Sequence, residues 1–340
     1  MKSGSKNRKT GKISKLVVID GFAILHRAYH ALPPLKSKEG KLTNAVYGFF
    51  SMFLKLINDL KPEYITVCFD RPKPTFRSAL YVGYQAHRPE MESDLTSQIE
   101  LVHDALKDSK IKIFELDGYE ADDLIGTIAK QVTKDTKGKK KPPNISISQS
   151  HNIQVIIVSG DRDLLQLVNP HVNIIAPVTG ITKMIFFDTE KVVEKYGLKP
   201  HQFIDYKALV GDPSDNYPGV SGIGPKTASG LIGKYETFEN IYRNLADLPQ
   251  KIGIKLAQDA EQAALAKKLA TIATDAPIKI KVEECSTDRI DKKELVKFFE
   301  KLGFKSLIER INSKNVQSKE TTKKESSKKQ NKENGQLGLL

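Results

Sequence analysis

Between residues 211 and 228 the chain reads GDPSDNYPGVSGIGPKTA. The first half sets two carboxylates, Asp212 and Asp215, in a turn rich in Gly, Pro and Asn, and such a turn can hold a hard cation. The second half places glycines before Pro225, which suits the first position of a helix. The N–H groups of that helix start, with Lys226 beside them, can face a phosphate. Together the two halves predict chemistry on a phosphodiester.

Further acids follow short apolar runs that are typical of buried strands. LVVID (16–20) and YITVCFD (64–70) each end on an acid, and QVIIVSG (154–160) leads directly into Asp161 and Asp163. The carboxyl ends of parallel strands are where α/β folds place their chemistry. Helical stretches at 43–60 and 89–107 stand between these strands, so the sequence predicts an α/β core.

A third acidic stretch, GYEADDLIGTIAKQV (118–132), begins a predicted helix with Glu120, Asp122 and Asp123. Acids at that end favour the helix dipole, which is a purely structural explanation. Three acids so close together nevertheless exceed what capping requires, so these residues are also candidate ligands.

Nine acids therefore stand at the ends of predicted elements, in five separate segments of the chain. They are Asp20, Asp70, Glu120, Asp122, Asp123, Asp161, Asp163, Asp212 and Asp215. Carboxylates that share a pocket repel one another, and divalent cations relieve that repulsion. Ligand oxygens without His or Cys select Mg²⁺ or Mn²⁺ over Zn²⁺. Two such ions about 3.5–4 Å apart can serve phosphodiester hydrolysis.

The stretch RPKPTFRSALYVGYQAHRPEM (71–91) interleaves basic and aromatic side chains. This mixture suits a single strand of nucleic acid, through phosphate neutralisation and base stacking. An ordinary exposed loop is the alternative. From 189 onward the pattern is helical, with a long stretch near 256–273, a strand at 278–282 and a last helix at 292–302.

The composition describes a soluble chain of 340 residues that is 39% hydrophobic and 28% charged. No apolar run approaches the ~18 residues of a membrane span. With only Cys68 and Cys285, no disulfide framework or zinc site is expected, and a reducing cytoplasm is the default compartment. Much of the net charge of +13 sits in the two ends, so it indicates either nucleic-acid binding or solubilising tails.

Several of these stretches together resemble the 5′-nuclease family, most nearly the 5′–3′ exonuclease domain of bacterial DNA polymerase I. The resemblance covers about 16–310 and is carried by LVVIDG (16–21), CFDRPKPTFR (68–77), YQAHRPEM (84–91), GYEADDLIGT (118–127), SGDRDLLQLV (159–168), VGDPSDNYPGVSGIGPKTA (210–228) and KLATIATD (268–275).

The resemblance implies an α/β fold class: a three-layer, Rossmann-like (PIN-like) nuclease core with a helical arch and a helix-hairpin-helix subdomain. We expect a basic disordered tail at 1–15, the core at 16–205, the subdomain at 206–311 and a disordered tail at 312–340. Within the core, the arch segment is 71–95 and a polar insertion is 134–150.

By motif position, Asp20, Asp70, Glu120 and Asp122 would surround a first Mg²⁺ or Mn²⁺, and Asp123, Asp161, Asp163, Asp212 and Asp215 a second, with Asp122 a candidate bridge. The catalytic candidates are Arg27, Arg77, Tyr84 and Arg88. The DNA-binding candidates are Lys73, Tyr81, Gln85, His87, Gly222, Ile223, Gly224, Lys226 and Thr227, with a K⁺ ion as a candidate at the helix-hairpin-helix. Gln85 stands where the family usually has lysine.

The implied activity is metal-dependent cleavage of 5′ flaps and of nicked or gapped duplexes, including RNA/DNA primer junctions, in Okazaki-fragment processing and repair. A DNA-junction binder with weakened catalysis and an RNA-directed nuclease are the alternatives. The chain ends without polymerase segments, so we expect a freestanding nuclease or a fragment without polymerase activity, monomeric and associated with the nucleoid. The terminal QLGLL, with Gln336, Leu337, Leu339 and Leu340, resembles peptides that bind the sliding clamp.

Overall fold

The computed structural model describes residues 13–88, 90–133, 153–180 and 183–312. Most of both predicted tails, the polar insertion and the terminal peptide Gln336–Leu340 lie outside the described residues.

A six-stranded sheet forms the middle layer, in the order β3-β2-β1-β4-β5-β6. The first five strands are parallel and β6 is antiparallel to β5. The strands are β1 Ser14–Asp20, β2 Tyr64–Cys68, β3 Lys112–Phe114, β4 Ile153–Val158, β5 Val172–Thr179 and β6 Lys183–Phe187. Asp20 pairs with Cys68, and Ile19 pairs with Val158, so the acids that follow these strands leave the sheet at one edge.

Helices cover both faces of the sheet. The helices are α1 Gly21–Ala31, α2 Asn44–Leu60, α3 Phe76–Leu80, α4 Ser93–Asp108, α5 Ala121–Thr133, α6 Thr189–Tyr196, α7 Gln202–Val210, α8 Pro225–Tyr235, α9 Phe238–Arg243, α10 Gln250–Gln258, α11 Ala260–Ala270 and α12 Lys292–Leu302. A two-stranded ribbon of β7 Gly211–Asp212 and β8 Tyr217–Pro218 follows α7.

Two hydrophobic cores separate the layers. On one face α2 buries Phe49, Phe50 and Phe53 against α1, α4 and α12, and each such ring contributes roughly 1.5–3 kcal/mol. On the other face the apolar side of α5 packs with the helices that follow residue 189. The expected three-layer α/β architecture is therefore present.

Three expectations about secondary structure need correction. The stretch 278–282 forms no strand, since no neighbour pairs with it before a 3₁₀ turn at Val282–Cys285. The long helical stretch near 256–273 is two helices, α10 and α11, which meet at Asp259. The arch segment holds one five-residue helix, α3, followed by turns up to His87, and α4 begins only at Ser93.

Two further observations bear on the organisation of the chain. The predicted domain division at 205/206 falls inside α7. Among the helices of the described ranges, none is long and apolar enough to cross a membrane.

Candidate metal centre and nucleic-acid surface

Asp20 ends β1 and also begins α1. Its Oδ1 accepts a hydrogen bond from the Ala23 N–H at 2.9 Å and its Oδ2 from the Ser159 hydroxyl at 2.7 Å. The residue is 5% exposed. Burial, followed by the charge of Asp70, raises the pKa of Asp20 to about 7.

Three more acids surround Asp20 at this edge of the sheet. Asp70 accepts from the Ala121 N–H at 2.7 Å, which joins the end of β2 to the start of α5. Burial and the charges of Asp161, Asp20 and Asp70 raise the pKa of Asp122 well above its ordinary range. We call Asp20, Asp70, Asp122 and Asp161 the first acidic group. Asp161 also adjoins the predicted second set, because its Oδ1 accepts a hydrogen bond from the Asp163 N–H at 2.8 Å.

The second acidic group, called here the carboxylate cluster, is Asp163, Asp212 and Asp215. One ligand oxygen from each lies within 4.8 Å of the others, and no other such trio of His, Cys, Asp or Glu occurs in the described ranges. Burial raises the pKa of Asp163 to about 6, although Lys207 lowers it. All three residues belong to the set predicted around the second cation, and the structure places their carboxylates close together.

Lys207 lies between two members of the carboxylate cluster. Its ammonium donates to carboxylate oxygens of Asp163 and Asp212. Burial alone would lower the pKa of Lys207, but the two carboxylates outweigh burial and raise it. The role of Lys207 was not predicted from the sequence. A lysine near the end of a helix, five residues before an acid in the following turn, is common and gives no specific signal.

Arg77 and Asp123 do not belong to the open site. The Arg77 guanidinium makes a two-point ion pair with Asp123, 2.8 Å on each side, and donates to the carbonyl oxygens of Leu269 and Thr271 at 2.9 and 3.0 Å. Asp123 also accepts from the N–H groups of Glu120 and Ala273. The hydrogen-bonding groups of both side chains are occupied by partners within the fold. Arg77, predicted to be catalytic, and Asp123, predicted to bind metal, therefore have a structural role.

Glu120 stands beside this ion pair and faces the arch segment. Its carboxylate accepts from the hydroxyls of Tyr84 at 3.1 Å and Thr75 at 3.2 Å and lies 3.4 Å from Arg77. Burial raises the pKa of Glu120 to about 7, although the charge of Arg77 opposes the shift.

The arch segment docks on Asp215. Gln85 Nε2 and Arg88 Nη2 both donate to Asp215 Oδ1, at 3.0 and 2.7 Å, and the Gln85 N–H donates to the Asp215 carbonyl at 2.8 Å. Gln85 takes a left-handed backbone conformation with φ of 55° to make these contacts. Tyr84 Oη lies 3.4 Å from Asp215 Oδ2.

Four other predicted site residues have different surroundings, namely the DNA-binding candidates His87, Tyr81 and Lys73 and the catalytic candidate Arg27. His87 is exposed, whereas Tyr81 is half-buried against Leu265 and its neighbours. Lys73 is exposed and forms an ion pair with Asp117 at 2.7 Å. Arg27 donates to the carbonyls of Gly180 and Val178 at the β5–β6 turn, so its guanidinium is engaged there.

The turn before α8 has the predicted shape. Gly222 has φ of 72°, and Lys255 Nζ donates to its carbonyl at 3.0 Å. Gly224 caps α8 with Pro225 in the first turn, Lys226 is exposed and Thr227 is half-buried. Ile223 was predicted to contact DNA, but its side chain is buried and its N–H donates to the Val220 carbonyl. Ile223 therefore stabilises the turn from the interior.

Comparison with known proteins decides the family. Residues 15–197 match the model of the 5′-3′ exonuclease N-terminal resolvase-like domain, and residues 198–293 match the 5′-3′ exonuclease C-terminal SAM fold. The chain belongs to the 5′-3′ exonuclease family. The predicted family and fold class are confirmed, and the expected enzyme class, a hydrolase acting as a nuclease, is that of the family.

Relatives at the sequence level are of two lengths. A 5′-3′ exonuclease of Aquifex aeolicus is 36% identical over 297 residues, which are 87% of this chain and 95% of that protein. DNA polymerase I of Bacillus caldotenax is 39% identical over 300 residues, 88% of this chain. The chain spans about a third of the length of that polymerase, 32%.

Solved structures share the fold. The 5′-exonuclease of phage T5 with bound zinc ions gives a TM-score of 0.59 at 22% identity and covers 84% of this chain and 98% of its own. A flap endonuclease of bacteriophage T5, in a pseudo-enzyme–product complex with DNA and metal ions, gives 0.59 at 22% identity, with 87% and 98% covered.

Proposed function

We propose that the chain is a divalent-cation-dependent nuclease that hydrolyses DNA from 5′ ends and at 5′ flaps. The observation that carries this proposal is the carboxylate cluster, placed beside the first acidic group at the carboxyl ends of parallel strands. The Aquifex aeolicus relative named a 5′-3′ exonuclease supports the reaction, and the T5 flap endonuclease bound to DNA and metal ions supports the substrate.

The donor set fits Mg²⁺, with Mn²⁺ as a substitute. Every group that can bind a cation in the two acidic groups is a carboxylate, which suits hard cations. The pKa values of Asp20, about 7, and Asp163, about 6, are raised mainly by burial and further by neighbouring acids, and a cation would relieve both effects. When bound, two such cations activate the attacking water and stabilise the leaving oxygen.

We assign the first cation to Asp20, Asp70, Asp122 and Asp161, with Glu120 nearby, and the second to the carboxylate cluster. Acids of both groups, Asp20 and Asp70 of the first and Asp163 of the second, raise the pKa of Asp122. This supports Asp122 as the ligand that bridges the two cations. The Lys207 ammonium lies between two ligands of the second cation, Asp163 and Asp212. A metal ion that binds to both carboxylates must displace it.

The chain's own residues would orient the DNA. Arg88 is half exposed beside Asp215 and can reach a phosphate oxygen next to the cations, with Gln85 and Tyr84 fixing the arch segment around it. Gly222, Gly224, Lys226 and Thr227 would hold the duplex backbone without reading sequence, with K⁺ as a candidate ion at that turn.

The wider role is also proposed. Flaps, nicked or gapped duplexes and RNA/DNA primer junctions are the substrates of Okazaki-fragment processing and repair, in the cytoplasm at the nucleoid. We further propose a monomer and contact with the sliding clamp through Gln336–Leu340.

The test is cleavage of a labelled 5′-flap DNA with Mg²⁺, with binding measured in parallel. Asp212→Asn should lower the cleavage rate by roughly 10²-fold or more while the flap still binds. Asp59→Asn is the matched control, because Asp59 is an exposed acid in α2 paired only with Lys55 in its surface ion pair.

The alternatives predict other results. Wild-type protein that binds the flap but does not cleave it would be a DNA-junction binder. Faster cleavage of an all-RNA flap than of the DNA flap would indicate the RNA-directed nuclease. Equal activity of wild type and Asp212→Asn would contradict the assigned site.

A further inference from the structure

Tyr217 carries a buried hydrogen-bond donor that the fold does not use. The residue is 3% exposed, and its hydroxyl makes no hydrogen bond to any residue in the described ranges. Native proteins leave few buried hydroxyls without a partner, since each has lost its hydrogen bonds to water.

The ribbon after α7 brings Tyr217 to the carboxylate cluster. In the β7–β8 pair, Tyr217 lies directly opposite Asp212. Its ring lies nearly parallel to that of Tyr84, with centroids 6.4 Å apart and planes 18° apart. Tyr84 in turn reaches the cluster, since its Oη lies 3.4 Å from Asp215 Oδ2.

Tyr217 thus adjoins the carboxylate cluster through Asp212 and Tyr84, but its hydroxyl donates to none of the three carboxylates. Those carboxylates have other donors: Lys207 on Asp163 and Asp212, and Arg88 and Gln85 on Asp215. The free donor points to an acceptor that enters the cluster from solution.

We propose that Tyr217 is a positioning residue whose hydroxyl donates a hydrogen bond to a water molecule held in the carboxylate cluster together with a divalent cation. This inference rests on the proposed function, because it assumes that the cluster binds the cation. It assigns to Tyr217 a role that the ring stack with Tyr84 alone would not need.

Tyr217→Phe separates the two roles. The substitution keeps the ring, its stack on Tyr84 and its place opposite Asp212, and removes only the donor. Tyr235→Phe is the matched control, because Tyr235 in α8 has a buried hydroxyl in the helical part of the chain.

The experiment is titration of the full chain with Mn²⁺ alone by calorimetry, together with thermal melting in EDTA. In EDTA, Tyr217→Phe should melt at or above the wild-type temperature, since a hydroxyl without a partner stabilises nothing. Its Mn²⁺ affinity should be roughly 2- to 10-fold weaker than that of the wild type, which corresponds to the loss of one hydrogen bond. Tyr235→Phe should bind Mn²⁺ as wild type does.

Three outcomes would overturn the inference. Wild-type Mn²⁺ affinity in Tyr217→Phe would mean that the hydroxyl has no part in the cluster. A large loss of melting temperature in EDTA would mean that it has a partner within the fold. Failure of the wild type itself to bind Mn²⁺ would reject the proposed function along with the inference, and so differs from a failure of Tyr217 alone.

Discussion

Arg77 donates both terminal N–H groups to the two carboxylate oxygens of Asp123, 2.8 Å on each side, in a pair closed to solvent. Two further N–H groups of the guanidinium reach the carbonyls of Leu269 and Thr271. One side chain therefore joins α3, α5 and the end of α11. The positions of Glu120 and Asp122 depend on that junction, because Asp122 directly precedes Asp123 in the chain and Glu120 lies three residues before it.

Removal of one partner of this pair should be costly. Arg77→Ala leaves the Asp123 charge buried without its counter-charge, so the free energy of unfolding should fall by about 3–5 kcal/mol. Urea denaturation in EDTA measures it. Lys73→Ala, which removes the exposed ion pair with Asp117, should change stability by about 1 kcal/mol or less. Equal effects of the two substitutions would contradict the structural role of Arg77.

Lys207→Met should strengthen cation binding while weakening the metal-free fold. Without the Lys207 ammonium, the carboxylates of Asp163 and Asp212 repel each other and attract a cation. That cation no longer has to displace the ammonium. We expect Mn²⁺ affinity to rise roughly tenfold or more, since a charge a few ångströms away shifts such equilibria by 1–3 decades.

Calorimetric titration with Mn²⁺ tests this, with Lys199→Met as the control. Lys199 forms an exposed pair with Glu236, and its loss should leave Mn²⁺ affinity unchanged. Weaker Mn²⁺ binding by Lys207→Met would mean that the lysine supports the cation instead of competing with it.

The metal-free protein should lose stability as the pH rises. Burial raises the pKa of Asp20 from 3.8 to about 7, so the folded chain binds a proton there that the unfolded chain has already lost. The stabilisation is complete below the unfolded pKa and is lost as the pH rises through the folded value. Between about pH 5 and 7.5, melting temperature in EDTA should fall more steeply for wild type than for Asp20→Asn.

Saturating Mn²⁺ should remove that slope, because the cation binds the deprotonated carboxylates. Identical pH profiles for wild type and Asp20→Asn in EDTA would show that Asp20 is not the group responsible.

The loss of Arg88 from the arch segment should be partly compensated by a lysine at position 85. Arg88 and Gln85 both donate to Asp215 Oδ1, and Arg88 is the cation there. Arg88→Ala should lower the rate of flap cleavage by roughly 10²–10³-fold, the usual cost of losing one preorganised donor. Gln85→Lys added to Arg88→Ala should restore part of the rate, since it returns a positive charge to the same carboxylate.

Single-turnover cleavage of the 5′-flap DNA measures both effects. Val82→Ala, at a side chain that is 93% exposed, serves as the control and should cleave at the wild-type rate. A double variant no faster than Arg88→Ala would indicate that shape at this position matters more than charge.

Signals that lie close together in the sequence predicted much of the fold. The helix Lys292–Leu302 agrees with the predicted bounds, and α6 and α8 begin at the predicted positions 189 and 225. Local caps mark these positions: Asp188 on α6, Pro225 on α8, and Asp291 and Gly303 on α12. The acids at the ends of β1, β2 and β4 were found in the same way, because a short apolar run and the residue after it are visible together.

The errors concern partners far apart in the chain. Asp123 has the same local context as Asp122, and only the approach of Arg77, 46 residues away, makes one structural and leaves the other open. Lys207 and Tyr217 looked like ordinary helix and turn residues, because burial and the three-dimensional position of the cluster give them their roles. The run 278–282 has strand composition, but no strand of the described residues pairs with it.

The bonds from Arg77 to the carbonyls of Leu269 and Thr271 span 192 and 194 residues. During synthesis, a chain that has emerged only as far as α8 contains all six strands of the sheet but cannot complete this junction. The junction of Arg77 and Asp123 is therefore completed late, once Thr271 has left the ribosome, and a shorter nascent chain carries its acids without that junction to hold them in place.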